Sequence, residues 1–119
     1  MKRAVLVLLF SLAALAQTKI AIVRQSTGDV SVRHGSRWAP VTQTPVELFD
    51  GDTVATDRGR AEIFYPSDGS TLTVDVGSNV TIHQTDTSGG WLRRVRVYVG
   101  DVFFHISKTA ETNNKWQLA

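Results

Sequence analysis

Cysteine is absent from all 119 residues. That excludes a disulfide framework, thiolate metal ligands, a cysteine nucleophile and a lipid-modified N-terminal cysteine. Histidine is scarce: His34, His83 and His105 are widely separated, with no second histidine at ligand spacing, so no zinc motif is present. The serines lie in turns without a Gly-x-Ser-x-Gly elbow, and Glu47, Glu62 and Glu111 are scattered rather than paired. An excess of one charge is missing too. There are 13 basic and 11 acidic residues, and setting aside Lys2 and Arg3 leaves 11 of each. A balanced chain has no global field to draw in a phosphate backbone, which argues against nucleic-acid binding. The expectation is a protein without catalysis, cofactor or metal.

No long hydrophobic run occurs either. The longest, Ala4 to Ala16, has thirteen residues and is interrupted only by Ser11. A membrane-spanning helix needs about 20, so no stable span is expected. The basic start at Lys2 and Arg3, the apolar stretch and the small-x-small site Ala14-Leu15-Ala16 form the three-part pattern of a cleavable signal peptide. Residues 1–16 are therefore read as an export signal and 17–119 as one domain, periplasmic, cell-surface or secreted. Without disulfides, that domain must fold on its hydrophobic core alone.

What is abundant is alternation. Ile20 and Ile22, Val30 and Val32, Leu72, Val74 and Val76, Val80 and Ile82, and Val95, Val97 and Val99 all recur at spacing two. Successive side chains of a strand point to opposite faces, so this is half-buried β patterning, and no window shows helical spacing. Glycine-containing turns punctuate the pattern at roughly 8–12-residue intervals, the signature of an all-β sandwich, barrel or solenoid. Asp68-Gly69 between alternating segments reads as a hairpin turn. Gly-Asp occurs three times, at Gly28-Asp29, Gly51-Asp52 and Gly100-Asp101, each before a valine or one residue short of it. This reads as a repeated strand-opening device: glycine permits positive φ and the Asp side chain accepts from nearby backbone N–H groups. Asp50, Asp52 and Asp57 are accordingly assigned to turns, because the glycine and glutamate positions of an EF-hand are lacking. The segment Gln84 to Gly90 lacks apolar alternation and is expected to be a flexible loop. Asn113-Asn114 reads as a turn and Trp116-Gln117-Leu118 as the start of a strand.

The order of these pieces resembles the FecR domain of bacterial envelope regulators. The resemblance runs through Gly28-Asp29-Val30-Ser31-Val32, Trp38-Ala39-Pro40-Val41, Gly51-Asp52-Thr53-Val54-Ala55-Thr56, Ala61-Glu62-Ile63, Asp68-Gly69-Ser70-Thr71-Leu72 and Gly100-Asp101-Val102-Phe103-Phe104. It implies an extracytoplasmic all-β module, a twisted solenoid-like or sandwich-like stack of short strands, that recognises protein rather than performing chemistry. In the namesake regulators the domain receives a signal from an outer-membrane transporter and passes it toward a sigma factor. Here no cytoplasmic segment precedes the apolar stretch, which makes a direct sigma-factor role unexpected. The family's further strands and Gly-Thr motif after the Trp116 region are absent, so the module is expected to be truncated at its C-terminus. Trp38 falls at a family position and is expected to be structural.

Arg93, Arg94 and Arg96 form the one local basic cluster. Arg94 and Arg96 share a strand face with Tyr98, and Trp91 adjoins them. Arginine and aromatic residues are enriched at binding hot spots, so Trp91, Arg93, Arg94, Arg96 and Tyr98 make up a candidate partner-binding patch. The partner expected is another envelope protein. The alternative is a cell-wall or glycan-binding module, with Trp91 and Tyr98 stacking on sugar rings, as in a contact to peptidoglycan. The bland reading of the same charges is a solvated face that protects a sheet edge from aggregation. Gly51, Asp52, Asp68, Gly69, Gly100 and Asp101 are assigned to the scaffold as turn residues.

Overall fold

The computed structural model describes residues 18–106 and 114–118. Residues 1–16, read above as an export signal, and Glu111 and Asn113 lie outside the described residues. Eleven strands follow in chain order: β1 Lys19–Thr27, β2 Val30–His34, β3 Arg37–Pro40, β4 Val46–Phe49, β5 Thr53–Thr56, β6 Arg60–Tyr65, β7 Ser70–Val74, β8 Ser78–Thr87, β9 Gly90–Val99, β10 Val102–His105 and β11 Lys115–Leu118. The fold is all-β, with no helix among the described residues.

Two open sheets form. One has the order β10-β7-β6-β1-β4 and the other β11-β9-β8-β5-β2-β3. All neighbours are antiparallel except β11, which runs parallel to β9. Alternating residues from both sheets meet between them. Val30, Val32, Val54, Val80, Ile82 and Val95 of the six-stranded sheet face Ala21, Val23, Leu48, Ala61, Ile63, Tyr65, Leu72 and Val74 of the other. Burying a Val, Leu or Ile side chain contributes about 1.5–3 kcal/mol, so this layer drives folding without covalent staples.

The period-two reading holds in its central members and fails at some ends. Leu72 and Val74 are buried but Val76 is exposed; Val95 is buried but Val99 is exposed. In β1 the fully buried residues are Ala21 and Val23, while Ile20 and Ile22 are only half-buried. The expected Gln84–Gly90 loop is not a loop. β8 and β9 form one long hairpin whose ladder runs to Thr87↔Gly90, closed by Ser88-Gly89 alone. Its outer rungs are threonine-rich and exposed, so the backbone ladder holds what apolar alternation could not announce.

The repeated Gly-Asp turns share a backbone geometry. Gly28, Gly51 and Gly100 have φ of 68°, 87° and 93°. In each pair the Asp carbonyl accepts an N–H from a distant segment: Asp57 N to Asp29 O at 3.1 Å, Ile82 N to Asp52 O at 3.0 Å, and Asp75 N to Asp101 O at 3.0 Å. The shared device is therefore the carbonyl. Of the three aspartates, Asp52 is the one whose side chain also caps a backbone group, accepting the Phe49 N–H at 2.9 Å. Gly100 is required twice over, since besides its φ a Cβ there would lie 2.1 Å from Ser78 Oγ. Asp68-Gly69 forms the expected β6–β7 turn, with Gly69 N donating to Tyr65 O at 2.8 Å.

Candidate functional site

Strand alternation divides the candidate patch. Odd-numbered residues of β9 point toward the sheet interface and even-numbered ones toward solvent as far as Val97, because Val95 is buried while Arg94 and Arg96 are exposed. Arg93 therefore does not share the exposed face with Arg94 and Arg96. Its side chain is fully buried.

Inside, Arg93 is paired and stacked on every side. Its Nη1 lies 3.0 Å from both carboxylate oxygens of Asp68, its Nε donates to Gln84 Oε1 at 2.9 Å, and its Nη2 donates to Ser67 Oγ at 2.9 Å. The guanidinium carbon sits 3.6 Å from the ring centre of Trp91, 4.1 Å from Tyr65 and 5.0 Å from Trp116. Trp116 stands edge-on to Tyr65 and Trp91, at centroid distances of 5.2 and 5.7 Å. A planar, always-charged guanidinium suits such a cage, offering its fork to a carboxylate and its faces to aromatic rings. Burial lowers the Arg93 pKa, and the hydrogen bond and charge of Asp68 oppose that shift. The cluster ties β9 to the β6–β7 turn of the other sheet, with β11 laid against it through Trp116. Trp91 is thus a half-buried wall of this cage, and it also borders a surface hollow with Thr87, Ser88, Leu92 and Lys115. Asp68, assigned to a turn, is also the buried counter-ion.

Arg94, Arg96 and Tyr98 are on the outer face of the six-stranded sheet, as their spacing suggested. Cross-strand register extends that face well beyond β9. Arg96 pairs with Thr81, Thr81 with Thr53, Thr53 with Arg33, and Arg33 with Trp38. Arg33 donates to Thr53 Oγ1 at 3.2 Å and lies 5.5 Å from the Trp38 ring centre. Thr53 Oγ1 and Thr81 Oγ1 are 2.7 Å apart, forming a buried hydroxyl floor beneath the long side chains. A hollow of about 360 Å³ opens above it, lined by Arg33, Thr53, Asn79 and Tyr98. Tyr98 is 58% exposed, and hydrogen bonds to Arg96 and then Thr81 lower its pKa below the ordinary 10.0. Arg94 donates to Gln117 Oε1 on β11 at 3.1 Å.

The charge of this face is one-sided. Arg33, Arg94 and Arg96 have no carboxylate within ion-pair distance among the described residues. The one acid in the strands of this sheet is Asp86, opposite Trp91 on the other face. Sequence reading missed Arg33 and Trp38 as members of this surface. Trp38, expected to be structural, is 47% exposed. Parity within β2 could have placed Arg33 opposite Val32; joining it to Arg96 required the β2-β5-β8-β9 strand order.

His34 and His83 each face a turn aspartate. His34 Nδ1 is 2.7 Å from Asp52 Oδ1, and His83 Nδ1 is 3.4 Å from Asp50 Oδ1. No group of three or more His, Asp or Glu residues arranged to hold a metal ion occurs among the described residues. No described helix is long and apolar enough to cross a membrane.

No family model matches the chain, and neither the curated proteins nor the solved structures compared with it yield a significant match.

Proposed function

We propose that this protein is an exported, non-enzymatic FecR-like module that recognises another envelope protein through the outer face of its six-stranded sheet. The observation that carries this reading is the face itself. Three guanidiniums without acidic partners among the described residues, two exposed aromatic rings and a hydroxyl-floored hollow lie on one sheet face. Such a surface attracts an acidic partner, and electrostatic complementarity sets both encounter rate and orientation. The FecR-like reading, with short strands stacked in a twisted solenoid-like order, is supported by the thrice-used Gly-Asp turn and its carbonyl contact. Export is supported by the N-terminal charge, apolar stretch and cleavage pattern of residues 1–16.

A second reading, glycan binding, is favoured by one specific feature. Tyr98 borders a hollow that also presents Asn79, Thr53 and Arg33, a set able to hydrogen-bond an acidic sugar. Trp91 packs on Arg93 and does not line this hollow.

The test is capture from a solubilised envelope fraction by immobilised wild-type protein and by the double variant Arg94→Glu/Arg96→Glu. Loss of a defined captured protein by at least about tenfold, with folding intact, supports the face as the recognition surface. Unchanged capture removes it. Co-sedimentation with purified peptidoglycan separates the two readings, since a protein-directed module stays in solution.

A further inference from the structure

The two sheets do not close at the end where β3 and β4 form their edges. A cavity of about 330 Å³ lies in that mouth. Val32, Pro40, Val41, Val46 and Phe49 are among its mainly apolar walls, and His34, Arg37, Glu47 and Asp52 supply the polar groups. That size and that mixture, apolar walls with few polar groups, are those of a small-molecule site.

The polar groups are fixed rather than incidental. Asp52 is 2% exposed, and its two oxygens are engaged by the Phe49 N–H at 2.9 Å and by His34 Nδ1 at 2.7 Å. A carboxylate only accepts, so the His34 bond is an Nδ1–H donation, leaving Nε2 as the free ring nitrogen. The imidazole is further held against the Phe49 ring, 5.2 Å between centroids. Two strands and a Gly-Asp turn thus orient one ring at the cavity wall.

Of the acidic groups in the lining, Glu47 is paired with Lys19 at 3.5 Å, and Asp52 accepts from the His34 and Phe49 N–H groups. Arg37 has no acidic partner among the described residues and stands on an exposed edge strand. An unpaired guanidinium at the mouth favours an anion, and the apolar walls favour hydrocarbon. We infer that this mouth binds a small amphipathic carboxylate, its apolar body between β3 and β4 and its carboxylate at Arg37. The site is separate from the outer arginine face and does not depend on the function proposed for that face.

The probe is octanoate, with 1-octanol as its uncharged counterpart, titrated into ¹⁵N-labelled protein and followed by amide shifts. Octanoate is expected to shift Val32, Val41, Val46 and Phe49 with a dissociation constant of about 0.1–1 mM. Octanol is expected to bind at least about fivefold more weakly. Two variants keep the outcome decisive. Ala39→Phe, at an exposed edge position, fills the cavity and abolishes the shifts, and Arg37→Glu reduces octanoate affinity by at least about fivefold while leaving octanol unchanged. Millimolar octanoate that leaves these amides unmoved overturns the site. Equal binding of octanoate and octanol, or full retention of octanoate binding by Arg37→Glu, overturns the carboxylate assignment.

Discussion

Arg93 and Arg94 are adjacent in the chain and carry the same charge, yet they serve opposite ends. Arg93 is wholly buried, with Asp68, Gln84 and Ser67 taking its N–H groups and three aromatic rings enclosing it. Arg94 stands in solvent with Gln117 beside it and no acid within reach among the described residues. The contrast repeats on the scale of the sheets. On the five-stranded sheet Arg24 is ion-paired with Glu62 and Lys19 with Glu47, so that surface neutralises itself. The outer face of the six-stranded sheet leaves Arg33, Arg94 and Arg96 without an ion pair among the described residues. A buried cation is tolerated only with its partner in place, whereas exposed cations need none and remain available for binding.

The largest effect is expected from Arg93→Ala. It leaves the Asp68 carboxylate buried without its counter-ion and opens the aromatic cage, at a cost of about 3–5 kcal/mol. Urea unfolding measures it, and a loss no greater than that of Arg94→Ala would collapse the contrast between the two arginines.

Asp68→Asn comes next. It keeps the shape of the turn and removes the charge that Arg93 faces, so a loss of about 1–3 kcal/mol is expected in the same assay.

Tyr65→Phe sharpens the comparison from the aromatic side. The Tyr65 hydroxyl is buried and finds no hydrogen-bond partner among the described residues, so its removal is expected to leave stability unchanged or raise it by about 1 kcal/mol. Burial also raises the Tyr65 pKa above the ordinary 10.0, while Arg96 and Thr81 lower that of Tyr98. The stabilising effect of a neutral buried phenol is complete below pH 10 and is lost as pH rises past it, because the unfolded chain ionises first. Ultraviolet titration is therefore expected to show Tyr98 ionising in the folded protein and Tyr65 only on alkaline unfolding. Tyr65→Phe moves that unfolding to higher pH; simultaneous titration of both phenols in the folded state would contradict the cage.

The smallest effect on stability belongs to Arg94→Glu/Arg96→Glu. Both side chains are exposed and make no ion pair among the described residues, so the change is expected to stay within about 0.5 kcal/mol while capture of the partner falls. A large destabilisation would make the outer face structural.

Much of the scaffold was legible in the sequence, for local reasons. Alternation at Leu72-Val74 and Val80-Ile82 reports a face buried along one strand, and Asp68-Gly69 reports a turn closed within four residues of chain. The Thr85–Thr87 end of β8 was not legible, because an exposed polar ladder leaves no apolar periodicity. Of the candidate patch, Arg94, Arg96 and Tyr98 were placed correctly by parity. The same parity put Arg93 inward beside Val95, but a charge is not expected inside unless its partner is known. That partner, Asp68, comes from a turn of the other sheet. Arg33 was missed because three strand pairings connect it to Arg96, Trp38 because a fourth is needed, and the His34–Asp52 contact because β2–β5 pairing creates it.

By itself, then, the sequence determined an all-β chain, the positions of its Gly-Asp and Asp-Gly turns, and which strand segments have a buried face, since each depends on residues a few positions apart. The tertiary structure alone decided which arginine is buried, which cations lack partners, and where the sandwich stays open. Those properties belong to pairs of residues that strand order brings together across two sheets, and no local pattern encodes the order.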